Sequence, residues 1–187
     1  MEQKKPDFVA PNVGLQRSGK RKSKEICPDE VVKHLRYDEE SGKLFWKVRT
    51  SHRVKVGDEV KSRSSRGYIR VSIKGHRYFA HRVIWAIFYG DVPDFQIDHI
   101  NGDIQDNRIC NLRKATHSQN NWNQKLQKKN TSGIKGVSWD KERSKWTARC
   151  TKFGKVHCVG RFDDIHEAEA AIVEYRKHLH GEFHRDE

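Results

Sequence analysis

Short runs of alternating apolar and polar residues, most of them closed by a glycine, set the narrowest limit on what this chain can build. Lys43-Leu44-Phe45-Trp46-Lys47-Val48, Val54-Lys55-Val56-Gly57 and Gly67-Tyr68-Ile69-Arg70-Val71-Ser72-Ile73 repeat with a period of two, with turns at Gly42, Gly57, Gly67 and Gly75. That period belongs to strands, and glycine supplies the positive φ of tight turns, so these runs predict short antiparallel strands. Val137-Ser138-Trp139, Lys145 to Cys150 and Lys155 to Phe162 alternate in the same way, turning at Lys141 to Ser144 and Lys152 to Gly154, and predict a three-stranded sheet. Strict alternation on its second and third strands puts Trp146, Ala148, Cys150, Val156, Cys158 and Phe162 on one face. Lys145, Arg149, Lys155, His157 and Arg161 fall on the other.

Helical spacing interrupts these runs at a few places. Pro28 to Leu35 has an acidic start, a proline near its first turn and apolar residues at helical spacing. Tyr78 to Gly90 is the most apolar segment; Val83, Ile84, Ile87 and Phe88 share one helical face, and Gly90 followed by Pro93 marks the stop. Thr116 is the expected N-cap of a helix carrying Asn120 and Asn123. Ile165, Ala168, Ile172, Tyr175 and Leu179 define a last helix, opened by Asp164 and Glu167 and closed by Gly181. Its apolar stripe is expected to cover the apolar sheet face and leave the basic face open. The fold class is therefore α+β.

With 187 residues, 34% of them hydrophobic and 34% charged, the chain suits two small domains better than one large core. A formal charge of +13 calls for a polyanionic partner, because neutralising phosphates and releasing their counterions is what such an excess achieves. No apolar run approaches the roughly 20 residues of a membrane span, and the N-terminus lacks the apolar core of a secretory signal. The expectation is a cytoplasmic protein, monomeric, acting on double-stranded DNA and not on membranes. Residues 1–24 hold seven Lys or Arg against two acids and predict a flexible basic arm, which either touches phosphates or is a solvated tail. Residues 25–124 form a first domain, 125–131 a basic linker and 132–187 a second domain. Residues 125–161 hold eleven Lys or Arg against two acids, and residues 162–187 eight acids against three. Cys27, Cys110, Cys150 and Cys158 show no C-x-x-C pair, which argues against a zinc knuckle or a disulfide framework and for reduced, buried thiols.

Chemistry concentrates in Ile97-Asp98-His99-Ile100-Asn101-Gly102-Asp103, followed by Asp106-Asn107-Arg108, Asn111-Leu112-Arg113 and Gln119 to Asn123. The order expected here is strand, loop, strand, helix. Cleaving a phosphodiester needs a base to activate water, a cation to hold the phosphate and leaving oxygen, and a group that orients the base. His99 is a suitable base, since its imidazole is neutral near pH 7. Asp98 and the Asn120 amide offer oxygen ligands to a hard divalent cation, magnesium first and manganese as the alternative. Asp98 and His99 would point apart on a regular strand, so they serve one site only if the backbone bends near Gly102. Asp103, Asp106 and Asn107 read as turn builders. His81 has two readings, facing the cleft or DNA backbone, or packed on Trp85 at a helix start. Asn123 also has two, an auxiliary ligand or a packing amide on the face of Asn120.

The residues Asp98-His99-Ile100-Asn101-Gly102-Asp103, Asp106-Asn107-Arg108, Asn111-Leu112-Arg113 and Gln119-Asn120 resemble the HNH endonucleases, in particular their phage and intron-encoded homing branch. Tyr37-Asp38, Gly42 to Trp46, Gly67-Tyr68-Ile69 and His81 to Trp85 extend the resemblance over roughly residues 28–123. It implies a ββα-metal nuclease domain in which Asp98 and Asn120 hold the metal, His99 is the general base and Asn111 orients it. Most HNH proteins carry histidine where this chain has Asn120, a departure the homing branch shares. Ser132-Gly133-Ile134-Lys135-Gly136-Val137-Ser138-Trp139, Lys145 to Arg149, Val159 to Phe162 and Glu167 to Ala171 resemble the Apetala or ethylene-response-factor type of DNA-binding domain, three strands on one helix over about 131–183. That resemblance implies DNA contacts by Lys135, Trp139, Arg143, Lys145, Trp146, Arg149 and Arg161, with Trp146 open to a core role as well. The function expected is a metal-dependent DNA endonuclease that nicks or cuts, guided by its C-terminal domain. The alternative is a non-catalytic DNA-binding regulator that retains an HNH-like domain, and an RNA-cleaving or structure-selective nuclease is a third reading.

Overall fold

The computed structural model describes residues 27–126, 129–152 and 154–185. The basic arm expected over residues 1–24 lies outside the described residues. The chain opens with α1 (Pro28–His34), β1 (Leu35–Asp38) and β2 (Lys43–Trp46), and continues with β3 (Arg70–Ile73), β4 (His76–Phe79) and α2 (Ala80–Tyr89). Next come β5 (Gln96–His99), a 3₁₀ turn (Ile109–Asn111), β6 (Leu112–Ala115) and α3 (His117–Trp122). The second half holds β7 (Val137–Asp140), β8 (Lys145–Lys152), β9 (Lys155–Phe162), α4 (Ile165–His180) and a final 3₁₀ turn (Gly181–Phe183). β1–β2, β3–β4 and β5–β6 are two-stranded antiparallel sheets, and β7–β8–β9 is a three-stranded one.

The first half is built around α2. Val83, Ile84 and Ala86 are sealed from solvent and pack with Val31, Leu35, Leu44, Trp46, Val71, Ile97 and Leu112. The helix stops where its glycine predicts, with Gly90 at φ 70 and its N–H on the Ala86 carbonyl. Phe88, expected on the buried face, is 41% exposed, while Trp85 and Ala86 are buried in its place. Val54 to Gly57 forms only an isolated bridge, Ser51 to Val54, and not a strand. The β1–β2 turn reaches forward to the site: a Cβ on Gly42 would stand 2.5 Å from the Arg108 backbone nitrogen and 2.8 Å from the Asn107 carbonyl carbon. Only glycine permits that approach, and at φ +70 only glycine adopts it without strain.

The second half is a three-stranded sheet with α4 against it, closed around Val137, Ala148, Cys150, Ala168 and Ile172. Asp164 caps α4 as its sequence predicts, accepting from the His166 and Glu167 N–H groups. The strict alternation expected along β9 fails at a β-bulge. Ala148 pairs with Gly160 but Arg149 pairs with Cys158, so Val159 is an extra residue and the strand before it changes face. Cys158 and Val156 consequently lie with Arg149 on the open face, Val156 being 67% exposed. His157 turns inward to the Tyr175 hydroxyl at 3.2 Å, and Val159 joins the core. The burial expected of the cysteines holds for Cys150 alone; Cys27, Cys110 and Cys158 are exposed and all four are free thiols.

The halves meet through side chains. The Lys135 ammonium donates to the Trp122 and Gln124 carbonyls at 2.5 and 2.7 Å, and His180 stacks on Trp122 with ring centres 4.3 Å apart and planes 4° apart. Among the described residues no helix is long and apolar enough to cross a membrane.

Candidate nuclease site

The site sits where β5 leaves its sheet. Asp98 and His99 end β5, buried to 4% exposure each, and β6 runs antiparallel beside them with Asp98 opposite Arg113 and His99 opposite Leu112. The chain then bends at Gly102, φ +66, whose N–H returns to the His99 carbonyl at 2.8 Å. The loop is knitted by its own acids and amides. Asn101 Oδ1 accepts from the Asp103 N–H, Asp103 Oδ1 accepts from the Gln105 N–H, and Asn101 Nδ2 donates to Asp106. The Arg108 guanidinium beside Asp106 holds its carboxyl down at about 2. From β1, the Tyr37 hydroxyl donates to the Asn107 carbonyl and accepts from the Ile109 N–H.

Asn111 does not meet His99. Its Oδ1 accepts from the Asn101 N–H at 3.0 Å, and its Nδ2 donates to Asn101 Oδ1 and to the Asp106 carbonyl. The amide on the histidine is Asn107, with Oδ1 3.1 Å from His99 Nε2. Asn107 Nδ2 donates to the Gln105 carbonyl, so its other terminal atom is the oxygen, and Nε2 must carry the hydrogen. The imidazole is thereby held as the tautomer with Nδ1 unprotonated. Asn111 thus shapes the loop, and the loop presents Asn107. Sequence reasoning missed Asn107 because an Asn in an Asp-rich loop is ordinarily a turn builder; a loop amide sealed to 1% exposure signals a second task.

The helix α3 is short but firmly started. Thr116 forms a full capping box with Gln119. Its two amides part company. Asn123, the C-cap, is buried and donates from Nδ2 to both Asp98 carboxylate oxygens at 3.0 Å and to the His99 carbonyl at 2.7 Å. Asn120 makes no side-chain hydrogen bond to Asp98 or His99 among the described residues; its Nδ2 donates to Gln96 Oε1 at 3.0 Å. Both nevertheless line, with Asp98, His99 and Tyr68, one open cleft of about 360 Å³. Arg113 Nε donates to Asp98 Oδ2 at 2.8 Å.

Behind His99 stands His81, buried, edge-on to it at 5.3 Å and stacked on Phe79 at 5.5 Å, so the expected packing on Trp85 gives way to packing on the site's histidine. Burial pulls His81 down to about 3, with His99 and Arg82 adding to the effect. Burial lowers His99 too, opposed by its bond to Asn107 and by Asp98, and keeps the ring neutral near pH 7. Among the described residues no three His, Cys, Asp or Glu side chains cluster as a metal site. The side-chain oxygen donors lining the cleft are the Asp98 and Asp103 carboxylates, the Asn120, Asn123 and Gln124 amides and the Tyr68 hydroxyl, a hard-oxygen set of the kind a largely hydrated divalent cation accepts.

The residues expected on DNA divide. Arg149 and Arg161 are exposed on the open sheet face. Arg143 pairs with Asp140, and Lys145 with Asp163 at 2.8 Å, both at the surface. Trp146 packs against the second core and Trp139, 43% exposed, lies edge-on to it at 5.0 Å on the same face. Lys135 donates to the Trp122 and Gln124 carbonyls, so its ammonium joins the two halves.

Comparison with known proteins matches residues 78–122, the span from β4 to α3, to an HNH endonuclease family. Protein 3.8 of Escherichia phage T7 is 42% identical over 106 residues, which cover 56% of this chain and 87% of that protein. No solved structure matches the chain. HNH nucleases typically use a divalent metal and act on DNA. The bent β5 end, the loop-held histidine and the buried carboxylate lie inside the matched span, and the chain belongs to the family of phage Protein 3.8, carrying an HNH endonuclease domain over residues 78–122.

Proposed function

We propose that this protein is a divalent-cation-dependent endonuclease that hydrolyses phosphodiester bonds of double-stranded DNA, of the homing type, with a ββα-metal site and a C-terminal unit that adds DNA contacts. The observation that carries the reading is His99, neutral, buried at a cleft beside Asp98, and held through Nε2 by Asn107, with no hydrogen bond to Nδ1 among the described residues. In this reading His99 Nδ1 takes a proton from water as the water oxygen adds to phosphorus and the bond to the leaving oxygen breaks. Asp98 and Asn120 hold the cation, with Asn123 keeping the carboxylate oriented. A bound magnesium or manganese ion supplies charge neutralisation at the phosphate and the leaving oxygen. Asn111 acts at one remove, by holding the loop that carries Asn107. Arg143, Lys145, Arg149, Arg161 and Trp139 are the proposed DNA contacts of the C-terminal unit.

Supercoiled plasmid relaxation with magnesium tests the reading, wild type against His99→Ala. The expected result is relaxation by the wild type and a loss of about 100-fold or more in the variant, the contribution of a positioned general base. Equal rates would sink it. DNA binding with no cleavage under any divalent cation would select the non-catalytic regulator, which the occupation of both Asp98 oxygens by Asn123 and Arg113 favours.

A further inference from the structure

The end of the C-terminal unit does not face away from the nuclease site; it is fastened to it at three elements. Arg113 on β6 donates from Nε to Asp98 Oδ2 at 2.8 Å and from Nη1 to the Glu182 carbonyl at 2.7 Å. Its guanidinium carbon lies 3.8 Å from the centre of the Phe183 ring, and Phe183 is buried to 6% exposure. Arg185 donates to the Asn101 carbonyl of the site loop at 2.9 Å, and His180 stacks on Trp122 of α3. Strand register brings the first of these contacts about, since Arg113 stands directly opposite Asp98 and shares its face. An arginine side chain is long and rotamer-rich, and a fixed geometry on a carboxylate requires something to hold its other end. Glu182 and Phe183 do so from two sides, one by a hydrogen bond and one by the ring face.

We infer that Arg113 is a positioning residue for the Asp98 carboxylate and that Glu182 and Phe183 set Arg113 in place, so that the C-terminal unit completes the nuclease site as well as contacting DNA. This rests on the nuclease reading above. Arg113 occupies one carboxylate oxygen and directs the other, and its positive charge tempers the attraction of Asp98 for a cation.

The test uses the full chain and two readouts, plasmid relaxation kinetics and Mn²⁺ binding followed by electron paramagnetic resonance without DNA. Phe183→Leu keeps an apolar side chain at the buried position but removes the ring face; it is expected to lower kcat about tenfold and to leave KM within about twofold. Arg113→Ala is expected to lower kcat by about ten to a hundredfold while binding Mn²⁺ more tightly than wild type, because a neighbouring positive charge is gone. Arg113→Lys keeps the charge and loses the fork, so Mn²⁺ affinity stays at the wild-type value and part of kcat returns. The double variant should be no slower than Arg113→Ala alone, since Phe183 acts through Arg113. Additive losses, a Phe183→Leu effect on KM alone, or unchanged Mn²⁺ binding in Arg113→Ala would each overturn the inference. If the wild type binds Mn²⁺ but does not cut, the nuclease reading falls and the Mn²⁺ comparison decides this one by itself: tighter binding in Arg113→Ala supports it, no change rejects it.

Discussion

Asn120 and Asn123 stand one helical turn apart, and only their surroundings tell them apart. Asn123 is a buried donor to the Asp98 carboxylate and the His99 carbonyl, so Asn123→Ala strands buried acceptors and is expected to cost about 1–3 kcal/mol in urea unfolding. Asn120 is half-buried with one bond to Gln96, and Asn120→Ala should cost within about 0.5 kcal/mol while cleavage falls. Equal stability losses in the two variants would mean that the amides are interchangeable. The histidine sets a second expectation. Because burial lowers the His99 pKa, the acid limb of kcat/KM should fall below the ordinary value of 6.5 and not above it, as a pH profile of plasmid relaxation would show. Asn107→Ala should lower that limb further, because its bond to Nε2 stabilises the protonated ring and its removal leaves only Asp98, Asp103 and Asp106 to oppose burial.

At the scale of elements, one extra residue in β9 decides which side chains face solvent. The bulge at Val159 turns Cys158 outward and leaves Cys150 inward, although the two alternate in phase along a regular hairpin. Native Cys158 is therefore expected to react with a thiol reagent such as Ellman's, and Cys150 only on unfolding. Cys158→Ser should stay within about 0.5 kcal/mol of wild type, whereas a buried Cys150→Ser should cost about 1–3 kcal/mol. Helix α3 makes a comparable point. It has six residues, too few to be stable by propensity, and it leans on the Thr116 capping box and on its bonds to β5. Thr116→Ala should cost about 1 kcal/mol.

Across the whole molecule, buried histidines tie stability to pH. His81 resists protonation down to about 3 and His180 to about 4, against an ordinary value of 6.5, both because burial disfavours the charged ring. Between those limits the unfolded chain binds more protons than the folded one, so stability falls as pH falls. Urea midpoints should drop steadily from pH 6.5 towards pH 4, with His81 alone supplying up to about 1.4 kcal/mol per pH unit. His81→Gln should flatten the slope by about one proton. The short strands, the stop of α2 at Gly90, the caps of α3 and α4 and the stretch from Asp98 to Asn123 were legible in the sequence, because each depends on periodicity or on a residue's own backbone chemistry. The face reversal in β9, the pairing of His99 with Asn107 in place of Asn111, the turn of His81 towards His99 and the use of Lys135 as a joint were not. Each of these depends on which distant groups meet: Asn107 is eight residues from His99, and Glu182 is 69 residues from the arginine it holds. The sequence by itself determined where along the chain the polar candidates of the site are concentrated, from Asp98 to Asn123. Only the tertiary structure decided which amide orients the histidine and which end of the chain closes over the carboxylate, because burial and strand register, not local spacing, select those partners.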